Sequence, residues 1–189
     1  MMGAESPEAT GQDLMHQKLQ YIDVREHQFE DDGSIPNNPT LPLLVYPQVL
    51  AEHERGPSRC KELLAENGWG GAWVDGVFPY HHYHSTSHEV LCVVGGRARI
   101  TFGGPEGETV EVRVGDVVVV PAGVGHCRES SGGGFSVVGA YPRGQENYDL
   151  RTGGRGERPE VLENIRNVPL PEADPLFGGE GPLLMRWSG

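Results

Sequence analysis

Cysteine is scarce in this chain: Cys60, Cys92 and Cys127 are the three present in 189 residues. Thiols so few and so scattered exclude a disulfide framework and a thiolate zinc cluster, and a reduced, cytoplasmic compartment is the expectation. Basic residues are also short, with 15 Lys and Arg against 27 Asp and Glu and a formal charge of −12. Nucleic-acid binding needs a basic surface, so no nucleic-acid partner is expected. Docking on anionic lipid is disfavoured for the same reason. Long apolar runs are missing too. The valine run Val117 to Val120 ends at Pro121, and no apolar run comes near the roughly 20 residues of a membrane-spanning helix. The first residues, Met-Met-Gly-Ala-Glu-Ser-Pro-Glu, have neither the positive region nor the apolar core of a secretory signal. There is no internal repeat, no heptad pattern and no long block of like charge.

What is abundant is glycine, 28 residues, and proline, 15. They fall between short apolar runs, the pattern of many short strands joined by tight turns. The length suits one well-buried domain with extensions. Four regions are expected: a flexible N-terminus over 1–20, an extension with edge strands and a helix over 21–68, a barrel over 69–142, and a C-terminal wrap over 143–189. Leu41 to Tyr46 reads as a strand that Pro42 confines to an edge or a strand start. Ser58 to Glu66 reads as the one long helix, with Ser58 as N-cap and Asn67-Gly68 as its stop. Strands follow at Gly71–Phe78, Val90–Val94, Ala98–Phe102, Thr109–Val114, Val117–Val120 and Phe135–Tyr141. Their spacing argues for an all-β sandwich or barrel. The tail is too rich in Leu170, Leu176, Phe177, Leu183, Leu184 and Trp187 for a disordered one, and an ordered wrap or edge strand is expected.

The chemistry concentrates in Gly76-Val-Phe-Pro-Tyr-His-His82-Tyr-His84-Ser-Thr-Ser-His-Glu89 and in Gly115-Asp-Val-Val-Val-Val-Pro121-Ala-Gly123-Val-Gly-His126. Side chains at i and i+2 of a strand share a face, so His82 and His84 can grip one ion. Glu89 and His126 complete a nitrogen-and-oxygen donor set for a divalent transition metal. By the same alternation His81 and His88 point away, as solvated or packing residues. His88-Glu89 resembles the start of a zincin helix, but Cys92 stands where that motif needs histidine.

Gly76, His82, His84, Glu89 and Gly96 fit the cupin motif G-x5-H-x-H-x4-E-x6-G at every spacing. Gly115, Pro121, Gly123 and His126 match the second motif, G-x5-P-x-G-x2-H-x3-N, with Ser130 in place of the asparagine. These motifs cover roughly residues 70 to 142. The flanking Asp31-Asp32-Gly-Ser-Ile-Pro36-Asn-Asn-Pro39, Gly139-Ala-Tyr-Pro and Gly156-Glu-Arg-Pro159 resemble the small YjlB-like cupins. The resemblance implies a double-stranded β-helix, or jelly-roll barrel, with a metal at its mouth.

The expected cofactor is therefore one divalent transition metal, Fe, Mn, Ni or Zn, held by His82, His84, Glu89 and His126. Arg128 shares parity with His126 and either enters the pocket to meet a substrate anion or pairs outward. Tyr80 and Tyr141 either line the pocket mouth or pack at an edge. Asp116 is expected to hold a turn, and Cys92 and Cys127 to fill apolar space. Three functions compete: a metal-dependent oxygenase acting on a small organic molecule, an isomerase or epimerase on a sugar or keto acid, and a non-catalytic small-molecule or metal-binding module. Exposed sheet edges favour a homodimer.

Overall fold

The computed structural model describes Thr10, Gly11 and residues 22–188. The expectation of a flexible segment over 1–20 lies outside those residues, apart from Thr10 and Gly11.

The described residues form one antiparallel sheet of seven strands, bent around its own interior. In chain order the strands are β1 (Arg25–His27), β2 (Leu43–Tyr46), β3 (Trp69–Asp75), β4 (Glu89–Phe102), β5 (Glu108–Arg113), β6 (Val117–Val120) and β7 (His126–Pro142). The order across the sheet is β1-β2-β6-β4-β7-β3, with β5 pairing β4 on a side branch. Among the described residues the helices packed against it are α1 (Pro57–Glu66), α2 (Glu160–Asn167) and α3 (Pro182–Arg186). Among the described residues no helix is long and apolar enough to cross a membrane.

The all-β expectation holds, and the valine run shows why this sheet is stable. All four residues of Val117–Val120 are buried, so the strand has an apolar neighbour on each face. Val117 and Val119 pack with Leu44, Tyr46, Val90, Trp69 and Trp187 on one side. Val118 and Val120 pack with Leu43, Val45, Leu91, Val93 and Phe102 on the other, the interior of the barrel. This period-two sorting puts Glu89, Leu91 and Val93 of β4 on the interior face.

Several boundaries differ from the sequence reading. The strands expected at Val90–Val94 and Ala98–Phe102 are one, since β4 runs through Gly95-Gly96 for 14 residues. The pairing register with β7 shifts at Val93/Gly95 and Gly95/Arg97, as at a bulge. Gly96 sits at φ +61°, and a Cβ there would stand 2.3 Å from the Gly132 carbonyl oxygen, so only glycine allows the two chains this close. β7 likewise begins at His126, well before Phe135. β2 is not an edge strand: β1 and β6 flank it, and Pro42 lies just before its first residue. Helix α1 is capped by Gly56 with Pro57 in its first turn, so Ser58 is already inside the helix and its side chain caps nothing.

The tail is ordered and helical rather than an edge strand. Asp174 anchors it: its carboxylate accepts from the Tyr46 hydroxyl at 2.8 Å and from the amides of Leu176, Phe177 and Leu183. Trp187 is buried, and its indole N–H donates to the Pro42 carbonyl at 2.8 Å. Leu170 takes no part in this packing and stays exposed.

Candidate metal centre

The segment before β4 is extended but joins the sheet only through single bridges. His82 pairs antiparallel with His126, each backbone N–H donating to the other's carbonyl at 3.2 and 2.9 Å. Tyr83 bridges Arg151 and turns its ring the opposite way, into a small cluster with Ile35 and Val161. His82 and His84 are thereby left on the interior side. Gly123 donates its N–H to the His84 carbonyl at 2.8 Å, and this ties the turn after β6 to the histidine segment. The start of β7 then brings His126 beneath both rings, with centroids 4.0 Å from His82 and 5.6 Å from His84.

One ring nitrogen from each of His82, His84 and His126 lies within 4.8 Å of the others, and all three residues are buried. Their orientation has a common cause. The Nδ1 of each faces a backbone carbonyl: His82 that of Tyr80 at 2.9 Å, His84 that of Asp149 at 2.5 Å, and His126 that of Val124 at 3.2 Å. With the Nδ1 proton donated outward, the remaining lone pair is on Nε2. Glu89, also buried, brings Oε2 to 3.1 Å from His84 Nε2 and Oε1 to 3.6 Å from His126 Nε2.

Desolvation holds His126 well below the ordinary histidine range and, together with its histidine neighbours, keeps that ring neutral. Desolvation lowers His82 as well. At His84 desolvation pulls downward, but the Glu89 charge and hydrogen bond and the Asp149 carbonyl outweigh it, and the net shift is upward. Without an ion, a proton on His84 Nε2 stands where a cation would pair with Glu89. Two neutral imidazoles, a third whose proton a cation displaces, and a carboxylate fit a borderline divalent transition metal.

This donor set opens on a cavity of about 710 Å³ lined also by Trp73, Phe78, Phe135, Tyr141 and Tyr148. Arg128 lines the same cavity, its Nε donating to the Val77 carbonyl at 3.0 Å and its Nη1 to Ser131 at 3.3 Å. Tyr141 is in the wall, its hydroxyl accepting from the Trp73 indole at 2.8 Å. Burial raises the Tyr141 phenol far above its ordinary value, so it stays protonated. Tyr80 is not among the lining residues: it sits in the bend at Pro79-Tyr80, and its half-exposed ring stacks on Phe78 beside His82. Asp116 accepts from the Arg113 and Gln48 amides, both at 2.8 Å, and holds the turn between β5 and β6.

His88 points away from the site, as its parity requires, but it is not solvated. The tail covers it: the ring lies 4.9 Å from Trp187, and Nδ1 accepts from the Ala122 amide at 2.8 Å. Two residues around the site left no mark in the sequence. Tyr148 stacks on Tyr141 at 4.4 Å and meets the His84 ring at 4.9 Å. Asp149 receives the Ser85 amide at 2.7 Å, the Ser85 hydroxyl at 2.5 Å and the Thr86 amide at 3.2 Å, and so sets the turn that carries His84.

The model of the Cupin family matches residues 75–153, the stretch that holds His82, His84, Glu89 and His126. YjlB of Bacillus subtilis (strain 168), an uncharacterised protein, is 45% identical over 159 residues, which span 84% of this chain and 93% of YjlB. Among solved structures, acireductone dioxygenase from Bacillus anthracis with cadmium ion is similar at 18% identity and a TM-score of 0.36, over 72% of this chain and 88% of that one. Procruciferin, an 11S globulin from Brassica napus, is similar at 15% identity and a TM-score of 0.36; the match covers 68% of this chain and 28% of that longer one. The motifs, the family model and the close relative agree: this chain belongs to the cupin family and is related to YjlB.

Proposed function

We propose that this protein is a metal-dependent enzyme of the oxygenase type, with His82, His84, Glu89 and His126 as ligands and a small organic anion as substrate. The observation that supports the reading is the set of backbone carbonyls facing all three Nδ1 atoms, with one ring nitrogen of each histidine within 4.8 Å of the others and Glu89 at 3.1 Å from His84 Nε2 and 3.6 Å from His126 Nε2. A packed barrel needs no such convergence. A bound divalent ion would supply a Lewis-acidic, and for iron a redox-active, centre with positions left for small oxygen ligands.

The protein's own residues do the rest. The aromatic walls select a flat or apolar body, and the Arg128 guanidinium, fixed by Val77 and Ser131, offers charge to a carboxylate or similar group. Tyr141, kept protonated, serves as a hydrogen-bond donor and not as a base. The walls also keep bulk water away from the reacting groups.

Anaerobic loading with Fe(II), followed by an oxygen-uptake screen over small carboxylates and other chelating molecules, tests the proposal. Uptake coupled to product supports it. Turnover with Zn(II) and no oxygen requirement would replace it with isomerase chemistry. Ligand-induced stabilisation without product would leave a binding module. We also propose a homodimer paired through a sheet edge, and light scattering that gave a monomer at micromolar concentration would refute it.

A further inference from the structure

The bridge that carries His82 and His126 has a second face. Its antiparallel register sets His81 opposite Cys127, as a pair whose side chains stand closest across such a ladder. Glu129 follows Cys127 by two residues on β7, at a bulge that leaves it unpaired between Arg128 and Ser130. Ligand atoms of His81, Cys127 and Glu129 lie within 4.8 Å of one another. The cysteine is buried, the histidine half-buried and the glutamate exposed, so the group reaches from the barrel wall to solvent. An independent observation points to a missing partner. The Nδ1 of His81 is buried with no hydrogen-bond partner, one of two such side-chain atoms among the described residues. An orphaned buried polar atom is costly unless something satisfies it.

We propose that His81, Cys127 and Glu129 form a second metal site, for a borderline-soft dication of the zinc type, on the outer face of this strand pair. One nitrogen, one sulfur and one carboxylate oxygen suit such an ion and leave a position for water. On binding, the Cys127 thiol gives its proton to solvent and the thiolate sulfur becomes a ligand. The ion clips residue 81 to residue 127 from outside, one position from His82 and His126 on each chain. No residue is shared with the donor set inside the barrel, and the proposal stands apart from the function assigned to it.

Sulfur makes the two sites distinguishable, since the interior set has none. The full-length, metal-stripped protein is titrated with Co(II) while the thiolate-to-cobalt charge-transfer absorption is followed. The band should appear in the wild type and in a His82→Ala/His84→Ala variant, and be lost in Cys127→Ser. Glu129→Gln, at an exposed position that spares the core, should weaken the band-forming step by at least the roughly 10–100-fold that loss of an outer-shell partner costs. Absence of the band in the folded wild type, its survival in Cys127→Ser, or an unchanged titration in Glu129→Gln would each overturn the site.

Discussion

His84 and Glu89 meet at 3.1 Å, Nε2 to Oε2, with both side chains buried at the floor of the cavity. The contact joins the extended histidine segment to the first residue of β4 across a four-residue turn. It also orders the chemistry: the His84 proton and a divalent cation compete for the same place. Metal affinity should therefore rise with pH through the range above 6.5, because the His84 pKa is raised and its proton must leave before the ion enters.

Glu89→Gln keeps the shape of the side chain and removes its charge. Calorimetric titration of metal-stripped protein should show affinity at the interior site reduced by more than about 10–100-fold, the range for losing an outer-shell partner alone. The same variant should lower the His84 pKa, because burial then acts without the opposing Glu89 charge, and an NMR titration of the ring reads this directly.

Asp149 acts at one remove. Its carboxylate holds the Ser85-Thr86 turn and pairs with Arg151 at 2.9 Å, while its carbonyl orients His84. Asp149→Ala should cost about 2–3 kcal/mol, because hydrogen bonds to a charged group are lost together and the Ser85 amide is left without a partner. Urea unfolding of metal-free protein measures this, and affinity for the interior ion should fall in parallel.

Arg128→Met tests the anion-binding assignment. It keeps most of the apolar stem and removes the guanidinium. Metal content should be unchanged, whereas the rise in melting temperature caused by small carboxylates should shrink or vanish in a thermal-shift assay.

His88 gives the fold a pH signature. Burial lowers its pKa to about 3, against 6.5 for the unfolded chain. Between those values the unfolded state binds more protons than the folded one, so the stability contribution is present above pH 6.5 and is lost as pH falls toward 3. Urea midpoints of metal-free protein at pH 8, 6 and 4 should fall on acidification. In His88→Phe the fall should be smaller: about 1–3 kcal/mol is lost at pH 8, because the Ala122 amide loses its acceptor, and the deficit against wild type shrinks as the pH drops.

The comparison of sequence with structure turns on which signals are local. His82, His84 and His126 were legible because side-chain parity and motif spacing act over a few residues, and the structure brings their ligand atoms together. Gly95-Gly96 was ambiguous for the opposite reason. A glycine pair marks a turn or a bulge equally well, and the close approach of Gly132 and the following residues in β7 makes it a bulge. Parity turned His88 away from the site correctly, but it could not show Trp187 arriving from the tail to bury it. Tyr148 and Asp149 belong to a glycine- and proline-rich stretch that carries no motif, and their roles exist only because the tail folds back over the barrel mouth. For Tyr80 the sequence left pocket mouth and edge packing open, and the residue lies beyond the end of β3 at Asp75, with its ring stacked on Phe78.

The central claim is that His82, His84, Glu89 and His126 hold one transition-metal ion. It is tested most directly by the metal content, measured by mass spectrometry, of Cys127→Ser protein and of the Cys127→Ser/His84→Ala double variant purified side by side. The cysteine change silences the outer site and leaves only nitrogen and oxygen ligands inside. The account predicts about one tightly held divalent ion per chain in the first protein and its loss, or at least a large fall, in the second. Equal metal content in two folded proteins would contradict it.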